Sequence, residues 1–246
     1  ALLPSSNSLI PLFVLQRRWG STVHYSFQRA LRWFLLANWD GRYSGSAITS
    51  LNEDVRAITE AASFGEALEN LHRRLRVPPM LAEDEFLNRY DRAGYRFLRL
   101  MLYLLLFDHG ARDWVDGTRI GYDNTGSPIM TGFQPQWHHI YPRHLLRKAG
   151  FSDDDMNALA NTTVLNERTN VNKLTGKEPA HYVQQFGVSE PMLRGHLIPQ
   201  RFAQAATSEA ELSDQWDVQH YSDFIIDRAV LLSQAANELL EKLKNS

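Results

Sequence analysis

The chain has 246 residues, 43% of them apolar, with 26 lysines and arginines against 28 aspartates and glutamates and no cysteine. That length suits one large domain or two small ones, and an aromatic share of 11% with a net charge of −2 argues against intrinsic disorder. Lack of cysteine excludes a disulfide scaffold, a cysteine zinc site, an iron–sulfur cluster and thiol catalysis, while the near-neutral total leaves any nucleic-acid binding to a local patch.

The first fifteen residues are apolar but lack a basic n-region and are interrupted by Pro4 and Pro11, so they do not read as a signal peptide. A start at Ala1, in mid-pattern, suits a fragment of a longer chain at least as well as a natural start. Residues 8–20 and 24–39 are predicted helical, the second from the recurrence of Phe27, Leu31, Phe34 and Leu35. Ser50 with Glu53, and Ser63 with Glu66, have capping-box spacing, and each pair predicts the start of a new helix. Pro78-Pro79 breaks the pattern, and the next helix is expected over 94–108. Within it the apolar run 100–107 is too short to cross a bilayer and is flanked by Arg96 and Arg99. With neither signal nor span, a cytoplasmic protein without a membrane partner is expected.

Residues 117–136, rich in Gly, Pro, Thr and Ser, read as a loop and a boundary. Beyond them the period changes. A short strand is expected over 137–141, a short helix over 142–148 closed by Gly150, a β-branched strand over 161–166 and a helix over 167–174. The C-terminal segment 221–243 places Phe224, Ile225, Ala229, Leu232, Ala236, Leu239 and Leu243 on one helical face. The expected architecture is a mainly α, α+β protein. It has a helical domain over 1–120, a compact ββα unit over 121–180, and a C-terminal helical region over 181–246 that packs on the scaffold.

The chemistry concentrates in residues 137–179. Side chains alternate along a strand, so His138 and His139 point to opposite faces; one can meet a metal while the other meets water or a backbone partner. A histidine titrates near neutrality and suits proton abstraction. Asn161 and Asn170 follow, one opening the second strand and one on the expected helix. Amide oxygens with imidazole would hold one divalent ion loosely and leave coordination sites for phosphate and water.

His138-His139-Ile-Tyr-Pro, Ala160-Asn161 before a Thr/Val/Leu strand, and Thr169-Asn170 together resemble the His-Asn-His (HNH, ββα-metal) nucleases, most closely the DUF1524-type domain. Asn38-Trp39, Arg42-Tyr43-Ser44-Gly45, Leu51-Asn52-Glu53-Asp54 and the run from Phe224 to Leu232 extend the likeness to the C-terminal half of DUF262/DUF1524 proteins. That group includes GmrSD-like modification-dependent restriction enzymes and phosphorothioate-sensing defence nucleases. The resemblance implies His139 as general base, His138 as first metal ligand, Asn170 as second, and Asn161 as the residue that braces the loop and orients the base. Asn172 is the alternative second ligand, since a small shift of the helix exchanges the two asparagines. It further implies one Mg²⁺ or Mn²⁺, DNA as partner, and 5′-phosphate and 3′-hydroxyl products. The ParB-like nucleotide-handling module of such proteins, with its Asp-Gly-Gln-Gln-Arg signature, is missing from this chain, so the resemblance makes it the nuclease half.

Charge is unevenly spread. Apart from Asp153 to Asp155, which read as a solvated helix start, residues 137–180 are basic through Arg143, Arg147, Lys148, Arg168, Lys173 and Lys177, whereas 181–246 carry five basic residues against nine acidic. Those six are the candidate phosphate contacts, with solvated surface as the plain alternative. His144 reads as helix surface or a phosphate contact, and His181 and His196 receive no role. The expected function is DNA cleavage or nicking by the effector half of a modification-dependent restriction or phage-defence system. The alternatives are an inactive nucleic-acid-binding or assembly module, and a ribonuclease.

Overall fold

The computed structural model describes residues 3–78, 80–91, 95–121, 136–170, 174 and 176–246, apart from the Arg168 side chain. The described residues are mainly helical, with one two-stranded sheet among them. The chain divides into two compact units, residues 1–81 with 236–246, and residues 82–235.

The first unit holds α1 (Leu9–Trp19), α2 (Phe27–Trp39), α3 (Ala47–Glu60) and α4 (Phe64–His72). Helix α2 starts on Ser26, whose hydroxyl accepts from Arg29 N, and buries Ala30, Trp33, Phe34 and Ala37. Ser63 caps α4 as its spacing predicts, accepting from Glu66 N at 3.2 Å. The expected start at Ser50 is corrected. Helix α3 already begins at Ala47, Ser50 N donates to Ser46 O, and Glu53 turns to Arg42 at 3.2 Å instead of reaching back. The same arginine grips Asp54 through two nitrogens at 2.6 and 2.7 Å, and the Tyr43 hydroxyl donates to that carboxylate at 2.6 Å. Asp54 is fully buried, so these bonds replace the water it loses. The chain's last residues close the unit: Asn237 exchanges hydrogen bonds with both backbone groups of Leu81, and Arg32 donates to Leu240 O.

The second unit holds α5 (Arg96–Asp108), β1 (Gln136–His139), α6 (Arg143–Lys148), α7 (Asp153–Met156), β2 (Thr162–Leu165), α8 (Glu167–Thr169), α9 (Pro179–Gln185), α10 (Glu190–Gly195), α11 (Gln200–Ala205) and α12 (Glu209–Gln215). A last helix, α13 (Tyr221–Lys244), contributes residues up to 235 here and the remainder to the first unit. Strands β1 and β2 are antiparallel, pairing His138 with Thr163 and His139 with Thr162. Helix α6 ends as expected, at Gly150 with φ +91°, and Ser152 with Asp155 forms a capping box that opens α7 on the acidic run. The α13 face packs Phe224 into Tyr141, Phe202 and Trp216, at ring separations of 5.0 to 5.9 Å. At the far end of that face Leu240 is buried and Leu239 only partly so. Among the described residues no helix is long and apolar enough to cross a membrane.

Candidate active site

Strand alternation separates the two histidines. His138 is 4% exposed, its ring walled edge-to-face by Trp114 and Tyr182 at 5.7 Å each. His139 is half-buried, with the Tyr90 ring edge-to-face at 5.3 Å. Burial pushes His138 down to about 4. His139 is lowered too, by burial first; its bond to Asn157 and the charge of Asp91 oppose the shift, and Arg143 adds to it. Both rings are therefore neutral near pH 7, the form that ligates metal or accepts a proton.

His138 Nδ1 lies 2.9 Å from Asn170 Oδ1, while Asn170 Nδ2 donates to Trp137 O at 3.2 Å and so turns the amide oxygen to the imidazole. An amide oxygen only accepts, so the Nδ1–H of His138 donates this bond and the lone pair of the neutral ring lies on Nε2. His138 Nε2 is buried and has no hydrogen-bond partner among the described residues. No three His, Cys, Asp or Glu side chains converge among the described residues, so an ion here would rest on this neutral pair. With the ring proton moved to Nε2, His138 Nδ1 and Asn170 Oδ1 would be the two atoms to hold a weakly bound Mg²⁺ or Mn²⁺. Asn172 lies outside the described residues, and nothing places it at the site.

Asn161 is fully buried and joins three segments. Its Oδ1 accepts from Tyr141 N at 2.9 Å, and its Nδ2 donates to Tyr141 O and Met156 O, both at 3.0 Å. These contacts fasten the residues just after β1 to the end of α7. His139 Nε2 faces Asn157 Oδ1 at 3.2 Å, and Asn157 Nδ2 donates to Asp153 O at 2.7 Å.

Four residues that hold this arrangement carry no local motif. Asn157 is one; its nearest signal is its place four residues after Asp153, one helical turn on. Asp113, fully buried, accepts from Thr169 Oγ1 at 2.6 Å and Asn166 N at 2.7 Å, fixing the turn that presents Asn170. His196 lies fully buried between Thr163 Oγ1 at 2.6 Å and Arg112 O at 2.7 Å, so it has a structural role that no pattern in the sequence marks. Arg228, also fully buried, donates to the carbonyls of Ala160, Thr162, His196 and Leu197.

His196 yields a pH prediction. Burial lowers it to about 3, so the folded state keeps it neutral while the unfolded chain takes up a proton near pH 6.5. Its contribution is complete above pH 6.5 and is lost as pH falls below that, with a slope of about 1.4 kcal/mol per pH unit. Stability from denaturant melts should drop by about 2 kcal/mol from this ring alone between pH 7 and pH 5. The variant His196→Gln should be less stable at pH 7 yet fall less steeply; an unchanged slope would refute the assignment.

The basic residues fall into two sets. Arg143, Arg147 and Lys148 are exposed on α6, and both arginines only approach Asp153, at 3.8 and 3.9 Å. Loose, solvated pairs of this kind are worth little and yield readily to a phosphate. Lys177 is engaged by Gln185 at 2.6 Å and lies over the Phe186 ring. Lys173 and the Arg168 side chain lie outside the described residues.

The site is a pair of antiparallel strands joined through the short helices α6 and α7 and followed by α8, carrying an imidazole–amide pair and a second imidazole beside it. No family model matches the sequence, and no solved structure matches it. A curated relative is an uncharacterized protein, MJ0686, of Methanocaldococcus jannaschii, 20% identical over 225 residues. The match takes in 85% of this chain, which spans 37% of the relative's length.

Proposed function

We propose that the protein hydrolyses phosphodiester bonds in DNA, with a divalent metal held at His138 and Asn170. The observation that carries this reading is the pairing of those side chains at 2.9 Å beside a second, half-buried neutral imidazole on the same strand. His139 would take a proton from the attacking water, while Asn161 keeps the base-bearing strand in register with the loop that follows it. The cation, when bound, would stabilise charge on the phosphate and the leaving 3′ oxygen. Arg143, Arg147 and Lys148 begin four residues beyond the base and would hold the backbone of the substrate.

The test is incubation with supercoiled plasmid and Mg²⁺ or Mn²⁺, with EDTA and His139→Ala controls and RNA in parallel. Nicked or linear plasmid that disappears with EDTA is the expected result. Cleavage that persists in EDTA would overturn the metal assignment. Degradation of RNA with intact plasmid would make the protein a ribonuclease, and binding without cleavage would make it an inactive nucleic-acid-binding or assembly module. Comparing plain with modified plasmid tests the wider reading, in which the chain is the effector half of a modification-dependent restriction or phage-defence protein with a separate ParB-like module.

Changing Arg143, Arg147 and Lys148 together to Glu should weaken DNA binding at least tenfold at low salt. It should also make the plot of log affinity against log salt shallower by about 2 to 3, roughly one for each phosphate that is no longer neutralised. Fluorescence anisotropy between 50 and 200 mM salt measures both; an unchanged slope places the DNA path elsewhere.

A further inference from the structure

We infer that Asn157 is a positioning residue that fixes the tautomer and heading of the His139 ring, leaving Nδ1 as its basic nitrogen. The argument is one of hydrogen-bond polarity. Asp153 O is a main-chain carbonyl and can only accept, so the Asn157 atom 2.7 Å from it is the NH₂ group. The other end of the amide, 3.2 Å from His139 Nε2, is then an oxygen, which also only accepts. The proton of the neutral ring is therefore on Nε2, and Nδ1 keeps its lone pair. No hydrogen bond of His139 Nδ1 is formed with the described residues.

Asn157 is held in place to do this. It is 1% exposed, its N donates to Asp153 O at 3.2 Å, and its O accepts from Tyr90 N at 2.9 Å. The residue after it pairs with Arg89 in an isolated antiparallel bridge. The segment that supports the Asn157 backbone thus also supplies the Tyr90 ring against His139. A flip of the imidazole would set a carbon against Asn157 Oδ1 and lose the bond, so tautomer and rotamer are fixed by the same contact. For an imidazole that must take a proton from water, this arrangement keeps the accepting nitrogen free in every molecule.

As a statement about catalysis this rests on the proposed hydrolysis; the tautomer itself does not. The experiment is a long-range ¹H–¹⁵N correlation spectrum of the full chain at pH 7.5, with His139 assigned by its loss in His139→Gln. The expected pattern is a pyrrole-like Nε2 and a pyridine-like Nδ1. Asn157→Leu, similar in size but without an acceptor, should average the two nitrogen shifts and lower kcat on the order of 10–100-fold with little change in KM. Asn157→Asp offers only acceptors to Nε2, so the proton should stay there, while loss of the donor to Asp153 O should lower the melting temperature. A wild-type ring protonated on Nδ1 overturns the proposal whether or not the leucine variant folds, as does an unaltered pattern in a folded Asn157→Leu. If the tautomer is as stated but no variant, wild type included, cleaves DNA or RNA, the hydrolytic reading falls and the role of Asn157 in holding His139 stands.

Discussion

Replacing His139 by alanine should lower the rate of metal-dependent plasmid nicking by about 10²- to 10⁴-fold, the range usual for removal of a general base. The fold should survive, because the ring is half-buried and its polar contact among the described residues is a single bond to Asn157. Alanine leaves Asn157 Oδ1 without its donor but next to a newly opened, solvent-accessible space, which limits the cost to about 1 kcal/mol. Matching thermal melts for the two proteins, alongside the reduced rate, would assign the effect to chemistry. DNA affinity should change little, since the ring is neutral near pH 7 and holds no phosphate. Equal nicking by both proteins would remove His139 from the reaction and with it the reading of this strand as catalytic.

Arg228→Leu is expected to have the largest effect on stability. The guanidinium is fully buried, and among the described residues no carboxylate lies against it and four main-chain carbonyls receive its protons, two of them at 2.7 Å. Burial lowers its pKa to about 9, which still leaves it charged at pH 7. Leucine restores the apolar volume but strands the carbonyls of Ala160, Thr162, His196 and Leu197 inside the protein. Losing several such bonds costs about 3–5 kcal/mol, a large part of an ordinary domain's stability. The melting temperature should fall by about 10 °C or more. Arg228→Lys, with the charge retained but the planar fork gone, should lie between. A leucine variant within 1 kcal/mol of wild type would show that these carbonyls find other donors. Because Ala160 and Thr162 flank Asn161, partial loosening in the lysine variant should also slow nicking before it lowers the melting temperature much.

The difference between what the sequence discloses and what it withholds is one of range. The two short strands and the helix end at Gly150 are written in local pattern, as is the Ser63 cap, and all form where expected. The paired histidines and the two asparagines at 161 and 170 are legible as a motif, and the structure brings His138 to Asn170 across 32 positions. Asp113, Asn157, His196 and Arg228 escape because each acts on segments distant in sequence, and no period or spacing marks an arginine whose partners are carbonyls. Ser50 shows the opposite failure. Its local signal is sound, but Arg42 engages Glu53 and the helix starts a turn earlier. Tertiary contact outweighs a cap worth about 1 kcal/mol.

The shared helix α13 sets an order of events during synthesis. Residues 1–81 leave the ribosome before residues 82–246, yet the partners of Leu81 and Arg32 are Asn237 and Leu240, made more than 150 residues later. At about 5–20 residues per second the N-terminal helices wait on the order of ten seconds for the segment that closes them. A stop codon or a protease cut near position 235 would therefore be felt at the opposite end of the chain. The damage would fall on residues 1–81, while residues 136–170 keep all their own side chains.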